Sequence, residues 1–329
     1  VRPKQSEAFL YFLAPLRPLQ PARIARGVEI GSLYNEDLNC PIEVLVKNTA
    51  ILLIDCPDSK GIVAGVGEFL YRNNANILHA DQHQDAERNL FVMRVEWDLS
   101  DFTLEPAEFT RKFAPLAERF GMRWRLELSS LPHRVALFVS KYDHCLADLL
   151  YRHQSGELPC EIPLVIANHP DAKRWADFFG VPFHVIPVES GHKAEAERRQ
   201  IELLHDHKVD LVVLARYMQV LSPEFVAKFP RRIINVHHSF LPAFMGAKPY
   251  HRAFERGVKL IGATSHYVTE DLDEGPIIEQ EVVRVSHRDG LDDLLQKGRD
   301  LEKVVLSRAV RWHIDHRILA YAHKTVVFD

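Results

Sequence analysis

At 329 residues the chain is too long for one ordinary hydrophobic core and long enough for two domains. Apolar residues make up 47% and charged residues 26%, which excludes a disordered tail, a collagen and a coiled coil. Lys plus Arg number 41 against 45 Asp plus Glu, a net charge of −4, so the basic excess usual in a nucleic-acid binder is missing.

Residues 1–48 are interrupted by Pro3, Pro15, Pro18, Pro21 and Pro41. Their acids Glu29, Glu36, Asp37 and Glu43 are wrong for an Arg-rich, acid-poor targeting segment, so a poorly ordered extension is expected. Structure is expected to begin at Thr49. Residues 50–54 form an apolar strand, residues 55–61 a turn, and Ile62, Val66, Phe69 and Leu70 recur at helical spacing. Residues 77–84 and 89–97 read as two strands, the second with Phe91, Met93 and Val95 in alternation. An amphipathic helix over 106–120 and a strand over 122–128 complete a β-α-β-β-α-β order, the ferredoxin-like plan, for a domain spanning 49–128.

Residues 129–133 read as a linker, and a different rhythm fills 134–329. Apolar strands at 134–140, 162–167, 183–188, 211–214 and 233–236 alternate with amphipathic helices at 143–152, 172–179 and 192–207. Continuous apolar strands between helices predict an α/β, doubly wound, mostly parallel sheet covered on both faces. A strand pair at 260–268 and 277–285 follows, then a long helical region over 291–320 with a break at Gly298.

Cys40, Cys56, Cys145 and Cys160 have neither zinc-knuckle spacing nor the density of a disulfide framework, so no metal site and a reducing, cytoplasmic compartment are expected. No apolar run approaches the ~18 residues of a membrane span, so no membrane partner is expected.

Ligands of a doubly wound sheet bind beyond the carboxyl ends of its strands. One such end reads Asn235-Val236-His237-His238-Ser239-Phe240-Leu241-Pro242. Residues i and i+2 of a strand share a face, so the Asn235 amide and the His237 imidazole can converge on one pocket. An isolated Asn-x-His is more often a turn residue and a satisfied histidine. Further on, the strand 260–268 runs into Thr269-Glu270-Asp271-Leu272-Asp273-Glu274, and Gly275-Pro276 starts the next strand. A carboxylate held between an apolar strand and a rigid turn is a candidate for a fixed catalytic group; His238 and Asp271 are alternatives to His237 and Asp273.

Asn235-Val236-His237 with Ser239-Phe240-Leu241-Pro242, followed by Leu272-Asp273-Glu274-Gly275-Pro276-Ile277-Ile278, resembles the signature of the folate-dependent formyltransferases. Residues 49–128 resemble an ACT domain. An ACT domain ahead of a formyltransferase domain is the arrangement of the formyltetrahydrofolate deformylases, and residues 235–244 and Gly246-Ala247-Lys248-Pro249-Tyr250-His251 are similar to that family in particular.

The resemblance implies hydrolysis of 10-formyltetrahydrofolate to tetrahydrofolate and formate, with formate passing to purine synthesis. It implies catalytic Asn235, His237 and Asp273, and no cofactor or metal beyond the folate substrate and water. It implies a folate-binding loop at Met218, Gln219, Val220 and Leu221, where many relatives carry Arg in place of Gln219. An ACT domain implies an amino-acid effector at Asp55, Asp58, Lys60 and Gly61, and a homo-oligomer.

Two rival readings share these residues. Glycinamide ribonucleotide formyltransferases carry a turn rich in Gly, Ser and Asn whose backbone amides cradle a phosphate. The corresponding Ser140-Lys141-Tyr142-Asp143-His144-Cys145 has no glycine, and Asp143 would repel a phosphate, which favours water as the formyl acceptor. A tRNA substrate would need a basic surface. The other rival is a non-catalytic amino-acid-binding regulator, against which the intact Asn235, His237 and Asp273 set argues.

Overall fold

The structure, a computed structural model, describes residues 48–189, 191–243 and 249–328. The expected extension, Asn48 aside, lies outside the described residues, as do Phe244 and Gly246 to Lys248 of the motif runs.

The first elements are β1 (Thr49–Pro57), α1 (Ile62–Arg72), β2 (Asn76–Asp85), β3 (Leu90–Asp98), α2 (Pro106–Phe120) and β4 (Arg123–Leu128). The strands form an antiparallel sheet in the order β2-β3-β1-β4. Because β1 is apolar at successive positions, it buries both faces. Ala50, Leu52 and Ile54 pack with Phe109 and Phe113 under the helices. Ile51 and Leu53, with Val92 of β3, pack against Leu319, Tyr321 and Phe328 from the far end of the chain. The turn is shorter than expected. β1 runs on through Asp55, Cys56 and Pro57, with Asp55 opposite both Val92 and Arg123. Gly61, at φ 96°, opens α1.

The second sheet is built from β5 (Arg134–Val139), β6 (Glu161–Ala167), β7 (Phe183–Val185), β8 (Leu211–Leu214), β9 (Ile233–His237), β10 (Leu260–Tyr267) and β11 (Ile277–Arg284), in the order β11-β10-β9-β8-β5-β6-β7. β7, β6, β5, β8 and β9 are parallel; β10 and β11 are antiparallel to what they adjoin. One face carries α3 (His144–Gln154), α4 (Lys173–Phe178) and α8 (Leu291–Ile314), the other α5 (Lys193–Asp206) and α6 (Pro223–Lys228). The chain order reverses between β5 and β8, which opens a crevice at their carboxyl ends.

Two short helices, α6 and α7 (Pro249–Arg256), were not anticipated, although Ser222-Pro223 is a helix-start signal: the Ser222 hydroxyl accepts from the Phe225 N–H and Pro223 takes the first turn. The long C-terminal helix also departs from expectation. It does not break at Gly298, whose missing side chain instead makes room for the Tyr250 ring; a Cβ there would lie 2.2 Å from Tyr250 Cζ. It ends at Ile314, and β12 (Ile318–Tyr321), which begins where helix was expected, forms a hairpin with β13 (Lys324–Val327). His316, at φ 52°, turns the chain out of the helix.

That turn is held by the first sheet. The Arg94 guanidinium of β3 donates to the carbonyls of His316 (3.1 Å) and Asp315 (3.3 Å) and pairs with Glu96. His316 Nε2 lies 3.3 Å from His133 Nε2, and His313 Nδ1 lies 2.8 Å from the Tyr267 hydroxyl. Burial pushes His316 down to about 3, helped by His133, Arg125 and Arg94; burial and the neighbouring histidines push His313 well below its ordinary value. Both are neutral in the fold and take up protons more readily in the unfolded chain. Stability should therefore fall as pH drops from about 6.5, by up to about 1.4 kcal/mol per pH unit for each histidine. The urea midpoint should be lower at pH 5.5 than at pH 7.5, and His316→Asn should flatten the slope; equal midpoints would refute this.

Candidate active site

Asn235 and His237 project from the last residues of β9 on the face shared with Ile233, at the carboxyl edge of the sheet. Asp273 reaches them from the loop between β10 and β11. Its backbone adopts φ 59°, a left-handed conformation that Asp tolerates better than most residues. Its Oδ2 lies 3.2 Å from His237 Nδ1, with both side chains less than a tenth exposed. Burial alone would raise the Asp273 carboxyl, but the contact from His237 outweighs it and holds the group well below the usual carboxylate range. A permanent carboxylate on Nδ1 fixes the ring and leaves Nε2 pointing away. That Nε2 is buried without a hydrogen-bond partner among the described residues.

His266 is the residue the sequence reading missed. It stands opposite Asn235 in the β9–β10 register. Its Nδ1–H donates to the Tyr267 carbonyl (3.0 Å), so Nε2 accepts from the Asn235 amide nitrogen (3.2 Å); Asp273 Oδ1 is 3.7 Å away. One amide N–H of Asn235 is thus spent on His266, which leaves the other for a substrate oxygen. Gly275 makes this arrangement accessible: a Cβ there would lie 1.7 Å from the Tyr267 carbonyl oxygen that holds His266. The Gly-Pro turn therefore serves Asn235 as well as Asp273. His266 lay in plain view beside Ser265 and Tyr267, but only a cross-strand register could have given it a role.

The predicted folate loop follows β8. Ser140, at the end of β5, donates its hydroxyl to Asn168 (2.7 Å) and accepts from the Met218 N–H (2.9 Å), which ties the loop to the switch point. Met218 and Val220 are exposed, Gln219 is half-buried, and Leu221 is buried with Tyr217 and Phe225 in the core. His238 and Asp271, the alternative assignments, are separated from the triad's geometry. Asp271 is exposed, and the His238 ring, 5.2 Å from that of His237, turns toward Tyr250. Burial, with the charge of Arg216, pushes His238 down to about 3.

Beside His238 lies a second buried polar group on α8. Glu302 receives the Tyr250 hydroxyl on Oε1 (3.1 Å), while its Oε2 lies 2.8 Å from His144 Nε2 and 3.4 Å from Arg216 Nε. Burial opposes its ionisation, but His144 and the Arg216 charge hold it below its ordinary value. His144, Cys145 and Glu302 bring potential ligand atoms within 4.8 Å of one another. A metal ion there would face the Arg216 guanidinium and compete for a carboxylate already in use, so the donor set does not suit one.

The four residues of the predicted effector turn do not share a location. Asp58 and Gly61 line a cavity of about 620 Å³ with Ile62, Gln82, Gln84 and Phe91, and Asp58 accepts from Gln84 Nε2 (2.6 Å). Lys60 is exposed, and Asp55 pairs with Arg123 beside a different cavity.

A formyl transferase family model matches residues 133–310, and an ACT domain model matches residues 50–112. A formyltetrahydrofolate deformylase of Synechocystis sp. is 58% identical over 280 residues, covering 85% of this chain and 98% of that protein. The chain belongs to the formyltetrahydrofolate deformylase family. The Bacillus subtilis deformylase is 50% identical, covering 84% of this chain and 93% of that protein. The crystal structure of a deformylase from Pseudomonas syringae pv. tomato superposes with a TM-score of 0.84 at 48% identity, covering 86% of this chain and 95% of that one. The deformylase assignment agrees with both halves of the fold, an ACT sheet followed by a mostly parallel formyltransferase sheet. Among the described residues no helix is long and apolar enough to cross a membrane.

Proposed function

We propose that this chain hydrolyses 10-formyltetrahydrofolate to tetrahydrofolate and formate, with Asn235, His237 and Asp273 as the catalytic residues. The observation that carries the reading is the His237 Nδ1–Asp273 pair, which leaves an Nε2 that is buried without a hydrogen-bond partner among the described residues, on the strand face that also carries Asn235. As water attacks the formyl carbon, negative charge develops on the carbonyl oxygen. The free Asn235 N–H and a protonated His237 Nε2 donate to it, and Asp273 balances the imidazolium. Asp273, directly or through a second water, takes a proton from the attacking water. The C–N bond breaks, the folate nitrogen gains a proton, and the new carboxylic acid leaves as formate after losing one. The loop from Met218 to Leu221 holds the pterin, with Met218 and Val220 exposed to flank it. The chemistry is assigned to these side chains and to water, with no metal.

Water as acceptor is supported by the crevice at the start of α3. Asp143 stands there, kept ionised although burial opposes it, because Arg174 (2.7 Å) and Trp175 Nε1 (2.8 Å) hold it in place. A fixed carboxylate at a helix start disfavours a phosphorylated amine. In the same reading residues 49–128 and 134–329 are separate domains joined by 129–133, and an amino acid occupies the cavity beside Asp58 and Gly61. The exposed strand β2, with Ile77 and Leu78 at its outer edge, joins copies into a homo-oligomer, and the protein works in the cytoplasm.

Purified protein incubated with 10-formyltetrahydrofolate and no amine should release tetrahydrofolate and formate in equal amounts, unaffected by glycinamide ribonucleotide. Turnover only when that amine is added would make it a transferase. Repeating the assay with a panel of amino acids, alongside calorimetry, tests the effector site; unchanged kinetics and no heat of binding would remove it.

A further inference from the structure

Arg216 is unexplained by the reaction as drawn. Its side chain is nine-tenths buried, and both Nε and Nη1 are buried without a hydrogen-bond partner among the described residues. Donors left unsatisfied in this way are costly, more so on a charged group, so a native structure seldom keeps them without a use. Glu302 is the neighbouring anion. It stands 3.4 Å from Nε, and its oxygens are shared with His144 and Tyr250. The Tyr142 ring covers the guanidinium carbon at 5.2 Å. These contacts account for one edge and one face of the guanidinium and leave Nη1 without a partner among the described residues.

The backbone puts Arg216 close to the chemistry. Leu214 of β8 is in register with Asn235 of β9, and Arg216 follows two residues later, its carbonyl accepting from the Ser140 N–H just after β5. A left-handed φ of 65° diverts it from the strand direction. Contacts lead from it to the triad: Glu302 accepts from the Tyr250 hydroxyl, the Tyr250 ring lies 6.1 Å from that of His238, and the His238 ring is 5.2 Å from that of His237. His237 Nε2 and Arg216 Nη1 are thus two buried nitrogens, near one histidine, that have no hydrogen-bond partner among the described residues.

We propose that Arg216 forms a small-anion subsite beside the triad, and that its ligand is formate, the carboxylate that hydrolysis releases. This rests on the deformylase reading. The planar guanidinium matches a planar carboxylate in size and charge. A nine-tenths buried guanidinium suits a three-atom anion, whereas the folate's glutamate carboxylates sit on a flexible tail that must lie near solvent. Drawing formate across the sheet edge removes it from His237 and Asn235, so the released folate nitrogen cannot recapture the carbon while both products are bound.

Inhibition by sodium formate, at ionic strength held constant with sodium chloride, tests the subsite. Formate should inhibit the full-length enzyme where chloride does not, and ¹³C-formate should broaden on adding protein. Arg216→Gln should raise the formate inhibition constant about 10- to 100-fold, as expected for losing a charged hydrogen bond, with Arg216→Lys between. The lysine variant supplies the readout if the glutamine variant fails to fold. The glutamate-tail alternative is separated with a substrate lacking the glutamate. A rise in KM confined to the glutamate-bearing substrate, with formate inhibition unchanged, would overturn the proposal. Equal inhibition by formate and chloride with no broadening would overturn it too, while leaving the deformylase reading intact. Absence of turnover would instead defeat that reading, and the broadening experiment would still report on the subsite.

Discussion

Replacing Asp273 by Asn is expected to reduce turnover of 10-formyltetrahydrofolate by about 10³-fold, within the ~10²–10⁴ range of positioned acid–base groups. The side chain keeps its shape, and its amide oxygen can still accept from His237 Nδ1–H across the 3.2 Å separation. What it loses is the charge. Asp273 is ionised far below neutral pH because its contact with His237 outweighs its burial. A neutral amide neither balances an imidazolium at His237 nor takes a proton from water. The loss should fall on kcat, with substrate affinity nearly unchanged and unfolding still cooperative. Circular dichroism with single-turnover kinetics checks both halves. A folded Asp273→Asn protein of full activity would remove this carboxylate from the mechanism. The acid limb of the wild-type rate profile should likewise not follow Asp273, which stays charged through the working range.

Asn235→Ala should cost about 10²–10³ in rate, the usual effect of deleting one donor to a developing oxyanion. His266 sharpens the test. If its task is to accept one Asn235 N–H and so aim the other, His266→Phe will slow the enzyme on its own but add little to Asn235→Ala. Such non-additivity is expected of residues that act as a unit. Full additivity in the double variant would mean that His266 acts on substrate or on Asp273 independently, its Nε2 being 3.7 Å from that carboxylate.

These residues differ in how visible they were beforehand. Asn235 and His237 share one strand, and alternation places them on one face without further information. Asp273 lies in a loop, and only the resemblance of its flanking Leu-Asp-Glu-Gly-Pro run picked it out from the acids around it. The physical need for that run emerged with the fold, where Gly275 leaves space for a carbonyl that no side chain could tolerate. His266 and Arg216 were silent because their partners come from register and from packing of α8, neither of which has a local signature. The same holds for secondary structure. Long amphipathic segments such as α2 were legible to the residue. At six and eight residues, α6 and α7 offer little periodicity, and the equally short α4 was placed by its position between two apolar strands. After Ile314 the apolar pair Ile318 and Leu319 continued a helical pattern, while the backbone had already turned at His316.

The packing of Leu319, Tyr321 and Phe328 over Ile51, Leu53 and Val92 closes the chain from its last residues onto the first strand of the ACT sheet. On a ribosome these two sides emerge far apart in time. The four strands can pair once Leu128 has left the exit tunnel, but their second apolar face waits for a cover made roughly 200 residues later, on the order of 10–40 s at ordinary synthesis rates. During that interval the nascent protein carries a bare, sticky surface. Its yield in a cell should accordingly depend on chaperone capacity and translation speed more than the finished molecule's stability would suggest.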